Sequence, residues 1–207
     1  MIERTILMPK KSRKEQAIKT KKEILETAIA LMQEHGYEKV SIRHICDKLG
    51  LSTGAFYHHF PSKEEMINQS FSIYDVALTQ FLEEYSNDNP INAIHDILMH
   101  QTKFVIEHSA NFTNKLYISQ LSVQNRYAIN HARKYYQTIY HYLEIANHNK
   151  LLRTNKSLDY LTDFLLKFVR GSIIDWCLHN YDYNLLSRLE DDLAFVFPSI
   201  FVNDTQV

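Results

Sequence analysis

Apolar residues recur at helical spacing along most of this chain, and alternating runs typical of strands are scarce. The first periodic segment has its apolar positions at Ile24, Leu25, Ala28, Leu31 and Met32. Their spacing predicts an amphipathic helix from about Glu15 to His35, with Gly36 as its stop signal. Because the 207 residues include only 4 Gly and 4 Pro, the pattern predicts an all-α protein of about nine helices.

Residues 40–60 contain two short amphipathic segments joined by a tight turn. Gly50 stops the first segment, and either Ser52 or Thr53 can cap the second. The positions expected to point inward are Ile42, Ile45, Cys46, Leu49, Ala55, Phe56 and Phe60. The residues left facing outward on the second segment are Thr53, Gly54, Tyr57 and His58. This arrangement is typical of a helix-turn-helix, which presents its second helix to the major groove of DNA.

A fourth helix is predicted to start after Ser62, where Glu65 completes a capping box, and to continue to about Tyr85. Such a helix is long enough to lie partly in each of two domains. Polar residues 86–90 mark the next break. Three further helices are predicted over about 90–108, 111–123 and 124–150.

The last two predicted helices, about 158–178 and 185–201, are more apolar than the others. The first is apolar on nearly every face and therefore needs cover on two sides. One interpretation is a four-helix interface with a second copy of the chain, giving a twofold homodimer. The residues assigned to that interface are Phe164, Trp176, Leu189, Leu193, Val196 and Phe197. The alternative is a large core within one chain.

Charge is distributed unevenly although the net charge is only −1. Residues 1–22 hold eight basic and two acidic side chains, so this segment carries +6 and the remainder −7. A basic arm of this kind is suited to contacts with phosphates. It is also compatible with a solvated, disordered tail that DNA would order.

From Ile24 to Met66 the chain resembles the N-terminal domain of tetracycline-repressor (TetR) type bacterial transcriptional regulators. The resemblance rests on the opening helix, the helix-turn-helix and the run FYHHFPSKEEM. It implies a flexible basic arm at 1–17, a DNA-binding domain at 18–78 with its motif at about 41–60, and a ligand-binding and dimerisation domain at 79–207. It also implies that Thr53, Gly54 and His58 read bases. The residues that it implies for phosphate binding are Ser41, Arg43, Tyr57, His59 and Lys63.

The resemblance further implies a repressor that a small apolar or aromatic ligand, bound in the C-terminal domain, releases from a palindromic DNA operator. Aromatic and hydrogen-bonding residues are dense in that domain and are the candidate ligand contacts. They are Phe104, His108, Tyr117, Gln120, Tyr140 and Phe168. Taken singly, each of them is more often an ordinary core residue than a ligand contact. A ligand-independent DNA-binding protein or an activator would share the N-terminal features, so both alternatives stay open.

Other chemistries receive less support from the sequence. No two of the 11 histidines are three or four residues apart, so neither a metal site nor any cofactor is predicted. Cys46 and Cys177 lie on apolar stripes of separate helices and are expected to be reduced core residues. No catalytic motif is found, although a helical enzyme or small-molecule carrier remains an alternative. Without a long apolar segment or leader, the protein is expected in the cytoplasm and not in the membrane, but a basic tail that binds membrane surfaces is a further alternative.

Overall fold

The computed structural model of the protein describes residues 13–107, 110–122 and 126–202, and this part is helical. Its α-helices are α1 (Arg13–His35), α2 (Ile42–Leu49), α3 (Thr53–His59), α4 (Lys63–Gln69), α5 (Phe71–Glu84), α6 (Pro90–Glu107), α7 (Ala110–Ser122), α8 (Lys134–His148), α9 (Leu158–Leu178) and α10 (Leu185–Ile200). Two 3₁₀ turns lie at Tyr37–Lys39 and Tyr127–Ile129. Extended pairing in the described ranges is limited to one isolated bridge between Leu152 and Phe201. The predicted all-α fold class is confirmed.

Two of the predicted helices are shorter than expected. The predicted fourth helix is divided at Ser70, whose N–H donates to the Ile67 carbonyl at 2.9 Å, three residues back. This shorter hydrogen-bond step tightens the backbone between α4 and α5. The predicted helix over 124–150 begins only at Lys134, because the Asn130 side chain accepts from the Ala132 N–H at 2.8 Å and holds a turn there.

The chain divides after Met66 into two compact units. The division lies nearer the N-terminus than the predicted boundary at residue 78, because Tyr74 and Leu78 belong to the core of the second unit. Of the predicted arm, residues 1–12 lie outside the described residues, and residues 13–17 form the first turn of α1.

The first unit has a small core that brings α1 together with the helix-turn-helix. Ile24 and Ala28 from α1 are fully buried, as are Ile45 from α2 and Phe56 from α3. Phe60, just after α3, completes this group. Each large apolar side chain buried in this way contributes about 1.5–3 kcal/mol to folding, so a few residues fix the orientation of α3 within the unit.

The second unit is a helical bundle with its own core. Fully buried residues come from five of its helices, including Leu78 of α5, Ile97 of α6, Leu143 of α8, Leu165 of α9 and Leu189 of α10. This core holds the helices that surround the interior cavity described below. Within the described part of the chain, no helix combines the length and the apolar character needed to cross a membrane.

Candidate functional site

Side-chain caps fix the turn between α2 and α3. Ser41 Oγ accepts a hydrogen bond from the N–H of His44 at 3.1 Å, and Ser52 Oγ accepts one from the N–H of Ala55 at 3.2 Å. Gly50 ends α2 with φ 65° and ψ 30°, a left-handed conformation that costs glycine little. The predicted stop at Gly50 is confirmed, and Ser52 is the residue that caps α3.

The inward side of the motif is packed closely. Ile45, Cys46, Phe56 and Phe60 are all buried, as predicted. The Cys46 thiol donates to the Ser52 carbonyl at 3.6 Å, and burial raises the pKa of this thiol. Cys46 therefore packs the turn as an uncharged thiol, and the outward side of α3 is held in a fixed direction.

The structure brings Thr53, Gly54, Tyr57 and His58 together on one exposed face of α3. The Tyr57 side chain is 55% exposed. A Cβ atom added at Gly54 would meet only the Ser52 hydroxyl, at 3.7 Å, so packing within the unit does not require glycine here. The face therefore offers two hydroxyl groups, an imidazole and a bare stretch of backbone at the N-terminal end of a helix, which are groups suited to base-edge and phosphate contacts.

Three of the predicted phosphate contacts surround this face. Arg43 is exposed, with its Nε 3.8 Å from Asp47, and Ser41 is exposed while serving as the cap of α2. His59 is half-buried, and burial, reinforced by His58 and Lys21, lowers its pKa below 6.5. His59 is therefore neutral at neutral pH and can donate a hydrogen bond to a phosphate without adding a charge.

Lys63, the remaining predicted phosphate contact, is held by a residue that the sequence pattern did not single out. Its Nζ donates to the Tyr37 carbonyl at 2.6 Å and lies 3.8 Å from the centre of the Tyr37 ring. Burial lowers the pKa of Lys63, although Glu38 and Glu64 oppose the shift. The two partners are 26 residues apart, so no local pattern could have indicated this contact.

The second unit encloses a small interior cavity of about 20 Å³, room for about one water molecule. Its apolar walls are Phe71, Ala128, Leu166, Val169 and Ile173. Its polar lining consists of Gln101, Tyr117, Arg133, Tyr135 and Arg170. Ligand sites for drug-sized molecules occupy about 300–1,000 Å³, so this cavity must expand before it can admit such a molecule.

One of the six predicted ligand contacts, Tyr117, lines this cavity. Gln120 does not, because both of its polar atoms are already used within the protein. Its amide nitrogen donates to the Asn68 side-chain oxygen at 2.8 Å, and its amide oxygen accepts from the Ala128 N–H at 3.0 Å. In this conformation Gln120 is a buried structural bridge, and its role as a ligand contact stays a prediction.

The other predicted ligand contacts lie elsewhere. The Phe104 ring packs against Tyr74 at 5.3 Å, and the Tyr140 ring stacks on Tyr136 at 6.2 Å. Phe168 lines an open groove on the outside of the bundle. These three residues are thus absent from the cavity lining in this conformation, and their assignment as ligand contacts stays a prediction. His108 lies outside the described residues.

A buried ion pair beside the cavity was not predicted. Arg133 donates from Nε to Asp75 Oδ2 at 3.1 Å and from Nη2 to Asp75 Oδ1 at 3.0 Å. The same carboxylate accepts from the Tyr127 hydroxyl at 3.2 Å and from the Tyr135 N–H at 3.3 Å. The sequence feature that could have indicated this pair is the position of Asp75, four residues after Phe71 on an apolar helix face. A charge at such a position indicates a buried partner.

The Tyr135 hydroxyl is buried and has no hydrogen-bond partner within the part of the chain that the structure describes. Burial raises the pKa of Tyr135 far above its ordinary value; Tyr117 raises it further, and the charges of Arg133 and Arg170 oppose the shift. Burial also raises the pKa of Tyr117 to about 12. Both phenols therefore stay protonated and can donate hydrogen bonds into the cavity.

The predicted dimer contacts fall into two groups. Trp176, Leu189 and Leu193 are buried in the core of their own chain, so their assignment to an intersubunit surface is wrong. Periodicity alone could not separate the two sides of a helix that is apolar all round. Phe164, Val196 and Phe197 are half-buried against the same core.

An open groove of about 460 Å³ lies on the outside of α9 and α10. Its lining combines aromatic side chains with charges of both signs, namely Phe164, Lys167, Phe168, Gly171, Ser172, Asp175, Tyr183, Arg188 and Asp192. Large apolar side chains are also exposed on these helices: Leu178 is 75% exposed and Phe195 is 85% exposed. Exposed apolar side chains beside such a groove are typical of an interaction surface.

Potential metal ligands do not cluster in the described ranges: no group of three or more His, Cys, Asp or Glu side chains is close enough to hold an ion there.

Comparison with known proteins agrees with the geometry of the first unit. Residues 24–69 match the family model for bacterial regulatory proteins of the tetR family. The chain is 21% identical over 194 residues to the probable acrEF/envCD operon repressor of Escherichia coli, covering 86% of this chain and 85% of that protein. It is 25% identical over 205 residues to the nucleoid occlusion factor SlmA of Actinobacillus pleuropneumoniae, covering 96% and 98%.

The fold is also similar to that of a solved repressor. FadR of Thermus thermophilus, a TetR family transcriptional repressor crystallised with lauroyl-CoA, aligns with a TM-score of 0.69 at 16% identity. The alignment covers 90% of this chain and 98% of that protein. The resemblance inferred from residues 24–66 is therefore confirmed, and the fold similarity extends through most of the second unit.

Proposed function

The chain belongs to the tetR family of bacterial regulatory proteins and is a DNA-binding transcriptional regulator, and on that premise we propose that it is a repressor released from its operator by a small ligand. The observation that carries the DNA-binding part is the exposed face of α3, where Thr53, Gly54, Tyr57 and His58 lie together. Two proteins similar to this chain are named as repressors, which supports repression over activation.

In the proposed complex, Thr53, Gly54 and His58 contact base edges. The surrounding exposed side chains and the basic N-terminal segment contact phosphates. Tyr57 lies at the border of the two sets and adds a phosphate contact through its hydroxyl. Lys63, fixed by Tyr37, would present its remaining ammonium protons to the backbone of the DNA.

A second copy of the chain is part of this proposal, because a palindromic operator requires two recognition helices. The exposed face of α9 and α10 supports a twofold interface, since its groove contains Lys167 and Arg188 together with Asp175 and Asp192. Both charge signs on one patch allow the patch to pair with a copy of itself. The exposed Leu178 and Phe195 would supply the apolar contact.

Release from DNA is proposed to follow ligand entry into the second unit. The cavity is about 20 Å³ as it stands, so a ligand would bind preferentially to an expanded conformation. Phe71, the first residue of α5, lines the cavity, and α4 precedes it along the chain. Displacement of α5 would thus be passed on to α4, whose first residue is Lys63. A ligand shifts this equilibrium only by the difference in its affinity for the two states.

The DNA-binding proposal is tested by selecting genomic fragments with the purified full-length protein at near-physiological salt, where non-specific charge attraction is weak. We expect enrichment of one palindromic site. The informative variant is Gly54→Asp, which adds a carboxylate in open space on α3 and should abolish the enrichment without disturbing packing. The matched control is Asn155→Asp, which adds the same charge at an exposed position of the second unit. Loss of enrichment in both variants, or in neither, would contradict the assigned face.

The dimer is tested by sedimentation of the double variant Leu178→Asp/Phe195→Asp. Burying two carboxylates in an apolar interface is strongly unfavourable, so we expect a monomer where the unmodified protein is a dimer. A control variant, Ile129→Asp, places one carboxylate on an exposed apolar residue outside the groove and should leave the dimer intact. An unmodified protein that sediments as a monomer at micromolar concentration would refute the interface.

A further inference from the structure

The interior cavity of the second unit carries more polar groups than its own packing uses. The Tyr135 hydroxyl is buried and finds no hydrogen-bond partner among the described residues. Gln101 and Tyr117 also line the cavity. A buried hydroxyl left unpaired is unfavourable for folding, so its retention in a cavity points to a partner supplied from outside the protein.

The charged residues at the cavity indicate the charge that this external partner carries. Arg133 is neutralised by Asp75 through two hydrogen bonds, of 3.1 and 3.0 Å. Arg170 has no carboxylate partner in the described ranges; its guanidinium donates only a long hydrogen bond, 3.4 Å, to the Ala128 carbonyl. Among the described residues, none of the side chains that line the cavity is acidic. The lining therefore has one uncompensated positive charge.

The hydrogen-bond donors that line the cavity, like its positive charge, favour a negatively charged ligand. The guanidinium of Arg170 offers several N–H donors, and the protonated phenols of Tyr117 and Tyr135 offer one O–H donor each. Carboxylates match a guanidinium well, because two parallel N–H donors can bind their two oxygens. Apolar side chains, including Leu166, Val169 and Ile173, complete the lining.

We propose that this cavity is the effector site and that the effector is a compact apolar carboxylic acid, its carboxylate bound by Arg170, Tyr135 and Tyr117 and its tail by the apolar walls. The inference rests on the proposed function, since it specifies the chemistry of the ligand that releases the regulator. It replaces a purely apolar or aromatic effector with an amphipathic anion. Binding requires the cavity to open, and the gain of partners for the buried donors offsets part of that cost.

The test is calorimetric titration of the full-length protein with two probe acids, octanoate and phenylacetate, each beside the alcohol and the amine of the same carbon skeleton. We expect at least one acid to bind, about tenfold or more tightly than its alcohol, and the amine to bind most weakly. Failure of both acids to bind, or an amine or alcohol that binds as tightly as its acid, would overturn the inference.

Adjacent tyrosines provide a matched pair of variants. Tyr135→Phe removes the unpaired hydroxyl, so it should weaken binding of the acid about fivefold or more without lowering the melting temperature of the free protein. Tyr136→Phe removes a hydroxyl that donates to Asp159 at 2.8 Å, so it should lower the melting temperature and leave acid binding unchanged. Arg170→Gln should remove the preference of acid over alcohol. Unaltered acid binding in both Tyr135→Phe and Arg170→Gln would refute the site.

The outcome is separable from that of the proposed function. Selection of a genomic operator together with no acid binding would refute the effector chemistry and leave the regulator intact. Acid binding without any selected DNA would refute the regulator while showing that the cavity binds carboxylates.

Discussion

The outward face of α3 and the interior cavity of the second unit both present polar side chains that have few partners in the protein. The two regions differ in the free energy that the folded protein loses by leaving these groups unpaired. Water satisfies the hydroxyl of the exposed Tyr57, so keeping it available costs the fold nothing. The Tyr135 hydroxyl is removed from water and left unpaired, at a cost of about 1–3 kcal/mol. A surface site can thus be maintained freely, whereas an interior site reduces stability until its ligand arrives.

The two regions also differ in how they are held in place. Local hydrogen bonds at Ser41 and Ser52 and the conformation of Gly50 position α3, all within a dozen residues. The cavity is held by distant partners, above all by the buried pair of Asp75 and Arg133. Substitutions in the α3 region should therefore affect DNA binding or the local structure of the first unit. Substitutions among the residues that hold the cavity should affect the stability of the whole bundle.

The largest effect is expected from Asp75→Ala. This change leaves Arg133 buried without its carboxylate and should destabilise the second unit by about 3–5 kcal/mol. Urea unfolding followed by circular dichroism measures the loss. The control is Glu23→Ala, which removes the exposed pair with Lys19 and should cost under about 1 kcal/mol. A similar small loss for both variants would remove the proposed energetic contrast between surface and interior.

Tyr57→Ala comes next. It should weaken operator binding more than tenfold, about 1.4 kcal/mol or more, while leaving the unfolding free energy of the protein nearly unchanged. Tyr57→Phe separates the hydroxyl from the ring, and we expect part of the affinity to return. Electrophoretic mobility shift with the selected operator provides the measurement. Unchanged affinity for Tyr57→Ala would take this residue off the DNA-contacting face.

Gly50→Ala should have a smaller effect on folding. Its left-handed backbone conformation strains any residue with a Cβ atom, so we expect a loss of about 1 kcal/mol in the first unit. Gly54→Ala is the matched control, because this glycine is helical and has no Cβ neighbour closer than 3.7 Å. Thermal unfolding of both variants distinguishes them, and equal melting temperatures would argue against strain at Gly50.

The smallest expected effect is a pH dependence in the first unit. The folded protein lowers the pKa of His59 below 6.5 through burial, so the unfolded chain binds this proton more readily. Stability should therefore be unaffected at higher pH and should decrease as the pH falls through 6.5. His59→Gln should reduce that decrease in melting temperature, and His141→Gln, at an exposed position of the second unit, should not. If the melting temperature of His59→Gln fell more steeply with decreasing pH than that of the unmodified protein, the pKa of His59 would be raised by folding and not lowered.

Features with local causes were predictable from sequence. The stop at Gly50, a cap at Ser52 or Thr53 and the buried Phe56 each follow from spacing and capping rules that involve neighbours within one or two helical turns. The direction of the α3 face follows from the same periodicity, since fixing which residues are buried also fixes which are exposed.

Long-range partners were not predictable in this way. Gln120 looked like a ligand contact, but Asn68 lies 52 residues away along the chain and takes its amide. Asp75 and Arg133 are 58 residues apart. In α9, which is apolar nearly all round, periodicity gave no reason to place Trp176 inside and Leu178 outside. Such choices depend on how helices pack, which a one-dimensional pattern does not contain.

The two cysteines are distributed so that each unit contains one, Cys46 in the first and Cys177 in the second, and both are free thiols with a pKa raised by burial. Thiolates react with alkylating reagents far faster than buried thiols do. Each unit therefore contains its own chemical reporter. In a single sample and without any mutation, the alkylation rate of the buried Cys46 would report the opening of the first unit, and that of the partly buried Cys177 would report changes in the exposure of α9.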